Sequence, residues 1–162
     1  MSVPEQASLP ASATGPPAGS AASRGRAVAD RMVVVDASVV VDLLAGTELA
    51  AAVARRLSGT VLHAPAHCEA EVLSALGRLQ RAGELTVEEV DAAVAAVAAM
   101  PLTRHPLAAL LPGAWARRGR LRLLDALYVE LASQLDTVVV TTDHRLARAT
   151  DRAEAIVAAD DR

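Results

Sequence analysis

From residue 32 onward, short runs of β-branched residues alternate with stretches whose apolar residues recur at helical spacing. Val33, Val34 and Val35 followed by Asp36 read as a strand over 33–36, apolar enough for burial on both faces. Ser38 is placed to cap a helix running to about Ala45, and Gly46 is placed to stop it. A second helix is expected over 48–57 and a short strand over 60–64. Pro65 precedes a helix over 67–81, ended by Gly83, with an apolar row of Cys68, Val72, Ala75, Leu76 and Leu79. Thr86 and Glu89 form a capping box at the head of the next helix, whose apolar row is Val87, Val90, Val94 and Val97. A strand over 101–104 and a helical stretch over 107–118, broken or started at Pro112, come next. A stronger helix over 123–135, a strand over 137–141, a short helix over 144–150 and a last strand over 155–157 complete the series.

Alternation of strand and helix predicts an α/β fold, a parallel sheet with helices on both faces. Ligands of such sheets bind beyond the carboxyl ends of the strands. Residues 1–31 do not join the pattern. They are rich in Ala, Ser, Pro and Gly, with Pro16 and Pro17 adjacent, and are expected to form a disordered extension. Met32 directly precedes the first strand, so it is a candidate translation start, and the folded domain is expected over 32–162.

Composition narrows the core. The chain has 162 residues and is 52% apolar, yet holds one Trp, one Tyr and no Phe. Val, Leu and Ala must therefore fill the interior, which suits a Val-rich parallel sheet under Ala- and Leu-rich helices. All basic residues are Arg and the net charge is −3. That excludes a general basic coat for nucleic acid and leaves phosphate contacts to local Arg groups or a bound cation. The single cysteine, Cys68, has no internal disulfide partner and fits a reducing cytoplasm. No apolar run approaches the ~18 residues needed to span a membrane, and residues 1–31 lack a signal-peptide pattern.

The chemistry lies in the acids. Two predicted strands run into an Asp: the first ends at Asp36, the other continues through Thr141 and Thr142 to Asp143. As parallel neighbours they would bring both carboxylates to one sheet edge. The plain alternatives are a loop Asp at 36 and a helix N-cap at 143. Asp125 shares a helix face with Tyr128, Val129 and Ala132, toward the packed side, whereas Glu130 and Gln134 point away. Either a partner charge or the helix dipole would keep Asp125 ionised there. The helix over 67–81 offers Glu69 and Glu71, both flanking its apolar row, and geometry does not choose between them. Two carboxylates about 5 Å apart repel by roughly 3 kcal/mol at an effective dielectric near 20. A divalent cation reverses that sign, and oxygen-only ligands select a hard ion such as Mg²⁺ or Mn²⁺.

At these residues the chain resembles a known family. The blocks Val33-Val34-Val35-Asp36-Ala37-Ser38, Glu71-Val72-Leu73-Ser74-Ala75-Leu76, Asp125-Ala126-Leu127-Tyr128-Val129-Glu130-Leu131-Ala132 and Thr141-Thr142-Asp143-His144-Arg145-Leu146-Ala147 stand in its order and spacing. They are similar to PIN-domain ribonucleases, most closely the VapC toxins of type II toxin–antitoxin pairs, over about residues 32–158. The resemblance implies a Rossmann-like three-layer α/β/α sandwich. It implies that Asp36, Glu71, Asp125 and Asp143 hold Mg²⁺ or Mn²⁺, with Ser38 and Thr141 supporting them. It implies an RNA substrate, a cognate antitoxin and a homodimer. The expected reaction is phosphodiester hydrolysis by a metal-activated water, leaving a 5′-phosphate and a 3′-hydroxyl.

Other groups are assigned more plainly. His67 and Glu71, four apart, are able to share a face; the bland reading is a surface His. Cys68 reads as core rather than nucleophile. Arg117, Arg118, Arg120 and Arg122 precede Asp125 and would either hold phosphates or simply solvate the surface. Asp42, Glu88, Asp91, Asp151 and Asp160 read as ordinary surface charges. A phosphatase acting on small phosphomonoesters is the competing enzyme, but Ser38 stands where its second Asp is needed. A non-catalytic interaction module is the third reading.

Overall fold

A computed structural model describes residues 32–158. In chain order the elements are β1 (Met32–Val35), α1 (Ala37–Ala45), α2 (Ala50–Leu57), β2 (Val61–Pro65), α3 (Cys68–Arg81) and α4 (Val87–Ala99). They continue with β3 (Leu102–His105), α5 (Leu111–Ala116), α6 (Leu123–Gln134), β4 (Val139–Thr141), α7 (His144–Ala149) and β5 (Ala153–Ala155). The expectations for residues 1–31, and for the final residues beyond 158, lie outside the described residues.

The five strands form one parallel sheet in the order β3-β2-β1-β4-β5. Successive strand residues point to opposite faces, and Val33, Val34 and Val35 are all buried. Helices therefore cover both faces of β1, as the Val run requires. Each of these valines contributes roughly 1.5–3 kcal/mol by leaving water. The buried set of Val, Leu and Ala closes around Tyr128, the largest fully buried side chain. Helix α6 lies across β1, β2 and β4, and α1 packs against β4 and α3.

Strand order decides where chemistry is possible. The chain leaves β1 toward β2 and β3, then returns to the other side of β1 as β4. The connections from β1 and β4 thus part in opposite directions, and a crevice opens at their carboxyl ends. Val35 stands opposite Val140, and the Asp36 N–H donates to the Val140 carbonyl at 3.0 Å.

Several local expectations are met. Gly46 takes the left-handed conformation (φ 65°) that ends α1. The Thr86–Glu89 capping box forms in both directions. Three expectations are corrected. Helix α1 starts at Ala37 with Asp36 in the N-cap position, so Ser38 is not its cap. In α4 the inward row is Val90, Ala93 and Val97, while Val87 and Val94 are 55% and 39% exposed. Val and Ala occupy nearly every side of this helix, so apolar spacing alone does not select the packed face. Glu130 does not point to solvent: α5 covers it, and Arg117 pairs with it. Gly113 on α5 makes that approach possible, because a Cβ there would collide with the Glu130 carboxylate.

Candidate metal centre

The carboxyl ends of β1 and β4 set two residues side by side, Asp36 and Thr141. Thr141 is fully buried, and its hydroxyl donates to Asp36 Oδ2 at 2.7 Å. Ser38, on the first turn of α1, donates to the same oxygen at 2.6 Å. The two hydroxyls are 3.3 Å apart, and Ser38 Oγ and Thr141 Oγ1 also accept from the backbone N–H groups of Thr142 and Asp143. This network holds the Asp36 carboxylate through Oδ2. No side chain among the described residues donates to its other oxygen, Oδ1.

Helix α3 brings Glu71 to the same crevice. Tyr128, one turn beyond Asp125 on α6, donates its hydroxyl to Glu71 Oε2 at 2.7 Å. Burial pushes the Tyr128 phenol far upward, so it stays protonated and remains a donor. His67, one turn before Glu71, packs its ring 4.9 Å from that of Tyr128. Its Nε2 lies 3.2 Å from Glu71 Oε2, and the ring is buried against Tyr128. Glu69, the alternative acid, faces elsewhere and pairs with Arg104 at 2.7 Å.

Asp36, Glu71, Asp125 and Asp143 together line one open pocket of about 410 Å³, with Ser38, Asp42 and Arg78 at its walls. Thr141 sits beneath Asp36. All six residues singled out from the sequence are therefore brought together. Among the described residues, no three His, Cys, Asp or Glu side chains are drawn to a single point as a closed ligand set. The acids stand around the pocket instead.

Their charges are unequally compensated. Burial raises the Asp36 carboxyl above its ordinary value, its hydroxyl donors oppose this, and the nearby Glu71 charge adds to the rise. Asp125 is raised by burial and by the charges of Asp36 and Asp143, against Arg145 and Arg122. Burial also acts upward on Glu71, but His67 and Tyr128 outweigh it and hold the group below the usual range. At Asp143 burial is likewise outweighed. The Arg145 N–H donates to Oδ1 and its guanidinium to Oδ2, each at 2.7 Å, and the carboxyl is depressed.

This donor set fits a hard divalent cation. It is all oxygen, it is split across four segments, and among the described residues it leaves Asp36 without a cationic side-chain partner and Asp125 with its carboxyl still raised despite Arg145 and Arg122. Cys68 has no part in it: the thiol is buried and pushed up to about 11, the core reading expected.

Two features were not foreseen. Asp42 is no ordinary surface charge; it accepts from Thr47 at 2.8 Å and Thr142 at 2.6 Å and lines the pocket. Its position one helical turn after Ser38 was the available signal. Of the four arginines before Asp125, Arg117 is consumed by Glu130, and Arg118 lies 4.9 Å over the Trp115 ring. Only Arg120 and Arg122 reach the neighbourhood of Asp125.

Comparison with known proteins accords with this geometry. The profile of the PIN domain matches residues 33–152. Over 115 residues the chain is 60% identical to Ribonuclease VapC3 of Mycobacterium tuberculosis (strain ATCC 25618 / H37Rv), covering 70% of this chain and 84% of that protein. Ribonuclease VapC12 of the same strain is 36% identical over 106 residues, covering 65% and 82%. The crystal structure of PAE2754 from Pyrobaculum aerophilum matches with a TM-score of 0.55 at 22% identity, over 77% of this chain and 83% of that one. That likeness bears on the fold.

Proposed function

The chain belongs to the PIN-domain family, as a VapC-type ribonuclease, and from that premise we propose that it hydrolyses RNA phosphodiesters at the acidic pocket, using Mg²⁺ or Mn²⁺. The observation that carries this reading is the arrival of Asp36, Glu71, Asp125 and Asp143 in one pocket at the crevice between β1 and β4.

A divalent ion bound there supplies charge stabilisation to the phosphoryl oxygens and a lowered pKa for the attacking water. The residues do the rest. Ser38 and Thr141 hold Asp36 by one oxygen and leave the other without a side-chain donor. Tyr128 does the same for Glu71. Asp125 and Asp143 complete the set, and one of the four carboxylates orients the attacking water. Water oxygen bonds to phosphorus, the bond to the 3′-oxygen breaks, and that oxygen takes up a proton. The products carry a 5′-phosphate and a 3′-hydroxyl.

The cellular role we propose is that of the toxin in a toxin–antitoxin pair, silenced by a cognate antitoxin and acting in the cytoplasm. No helix among the described residues is long and apolar enough to cross a membrane. The protein acts as a homodimer in this reading; Leu73, Val87 and Val94 on α3 and α4 leave apolar surface exposed. Sedimentation of the purified protein tests that assembly.

The phosphomonoesterase reading loses its support, because the Ser38 hydroxyl at the second-Asp position is engaged with Asp36. The experiment is cleavage of total RNA by the purified chain. Cleavage with Mg²⁺ or Mn²⁺, its loss with a chelator and its loss in Asp36→Ala are expected. Cleavage by Asp36→Ala at the normal rate contradicts the assignment.

A further inference from the structure

A second cleft opens beside the acidic pocket. It has a volume of about 140 Å³ and is lined by Arg120, Arg122, Asp125 and Arg145 with apolar Leu121 and Leu146. The two openings share Asp125, and the Arg145–Asp143 ion pair at 2.7 Å links them, with Asp143 lining the first and Arg145 the second. We propose that this cleft is a phosphate subsite that grips the RNA backbone next to the scissile bond, with Arg120 and Arg122 as its positioning residues. The inference rests on the ribonuclease reading of the neighbouring pocket.

Charge accounting favours this. Arg145 already has Asp143 as its counter-ion. Arg120 and Arg122 form no ion pair among the described residues. The cleft thus sets two arginines without an ion pair against one carboxylate, Asp125, in a chain whose net charge is −3. Asp125 is the one carboxylate on the cleft, so even without a metal the three guanidinium groups outnumber the two acids, Asp125 and Asp143, that face them. Guanidinium groups bind phosphate oxygens through two parallel hydrogen bonds, so a phosphodiester matches the charge of the cleft.

The same stretch of chain supplies its own control. Arg117 and Arg118 lie within five residues of Arg122, yet Arg117 pairs with Glu130 and Arg118 rests on Trp115. Proximity in sequence alone would make all four equivalent. The fold selects two.

The test measures binding of a short unstructured single-stranded RNA to the full chain in a chelator, where no cleavage interferes. Each phosphate contact on a single strand adds about 0.7 to the slope of log affinity against log salt. Arg120→Gln/Arg122→Gln is expected to lower that slope by about 1.4, twice the single-contact value, and to weaken binding on the order of tenfold at 0.15 M salt. Arg118→Gln is expected to leave the slope unchanged. An unchanged slope in the double variant overturns the subsite, as does an equal fall in Arg118→Gln. If the wild type cleaves RNA while the double variant keeps its slope, the subsite fails alone. If the wild type neither binds nor cleaves RNA, both readings fail.

Discussion

Asp36 and Asp143 stand just beyond the carboxyl ends of adjacent parallel strands, each in the N-cap position of the helix that follows. They are treated oppositely. Asp143 caps α7 and binds Arg145 through both oxygens. Asp36 makes no side-chain cap; its carboxylate turns to the hydroxyls of Ser38 and buried Thr141 and keeps a raised pKa. One acid brings its own counter-charge and the other lacks one. The lesson is that position in the fold delivers a carboxylate to the pocket, but the neighbours decide whether it serves the helix or awaits a cation.

The sharpest way to break this contrast is to neutralise each acid in turn. Asp36→Asn is expected to cut the rate of RNA cleavage about a thousandfold, the several kcal/mol that a metal contributes to a phosphoryl transition state. Asp143→Asn keeps a capping side chain and is expected to lose about tenfold, near 1.4 kcal/mol. Single-turnover kinetics measure both. Equal losses would dissolve the distinction.

Stability of the metal-free protein gives a smaller effect with opposite signs. Asp36→Asn removes an unrelieved charge and is expected to raise the melting temperature at neutral pH. Asp143→Ala removes a cap and is expected to cost about 1 kcal/mol; the half-exposed Arg145 pair adds little. The pH dependence follows from the same groups. The folded values of Asp36 and Asp125 lie above the ordinary 3.8, so folding takes up protons there. Metal-free stability therefore falls as pH rises from 3.8 through those raised values, and stays lowered above them. Asp143 works in reverse: its contribution is present above 3.8 and is lost as pH falls through its depressed folded value. Thermal melts across this range should show the decline on the rising side flattened in Asp36→Asn.

Much of this was legible in the chain. The Val run of β1, the Thr86–Glu89 box and Gly46 are local features, and each formed as its chemistry dictates. Acids at the ends of two Val-rich strands announced the pocket, because parallel neighbours must share an edge. What was not legible depended on distant partners. Glu130 looked solvent-facing until α5, with Gly113, packed over it. Val94 looked buried because α4 is apolar almost all round. Asp42 looked ordinary because Thr142, the donor that ties it to the pocket's far strand, lies 100 residues away. Helix spacing left Glu69 and Glu71 open and only the family resemblance chose Glu71; in three dimensions Arg104 holds Glu69 and Tyr128 holds Glu71 at the pocket.

The most direct test titrates Mn²⁺ into the metal-free protein at neutral pH and follows its melting temperature, for the wild type and for Asp36→Asn. A saturable rise in the wild type, largely absent in Asp36→Asn even though that variant starts higher, is the predicted result. A wild-type melting temperature that Mn²⁺ leaves unmoved, or an equal rise in both proteins, would contradict the claim that Asp36 is the anchor of a cation site.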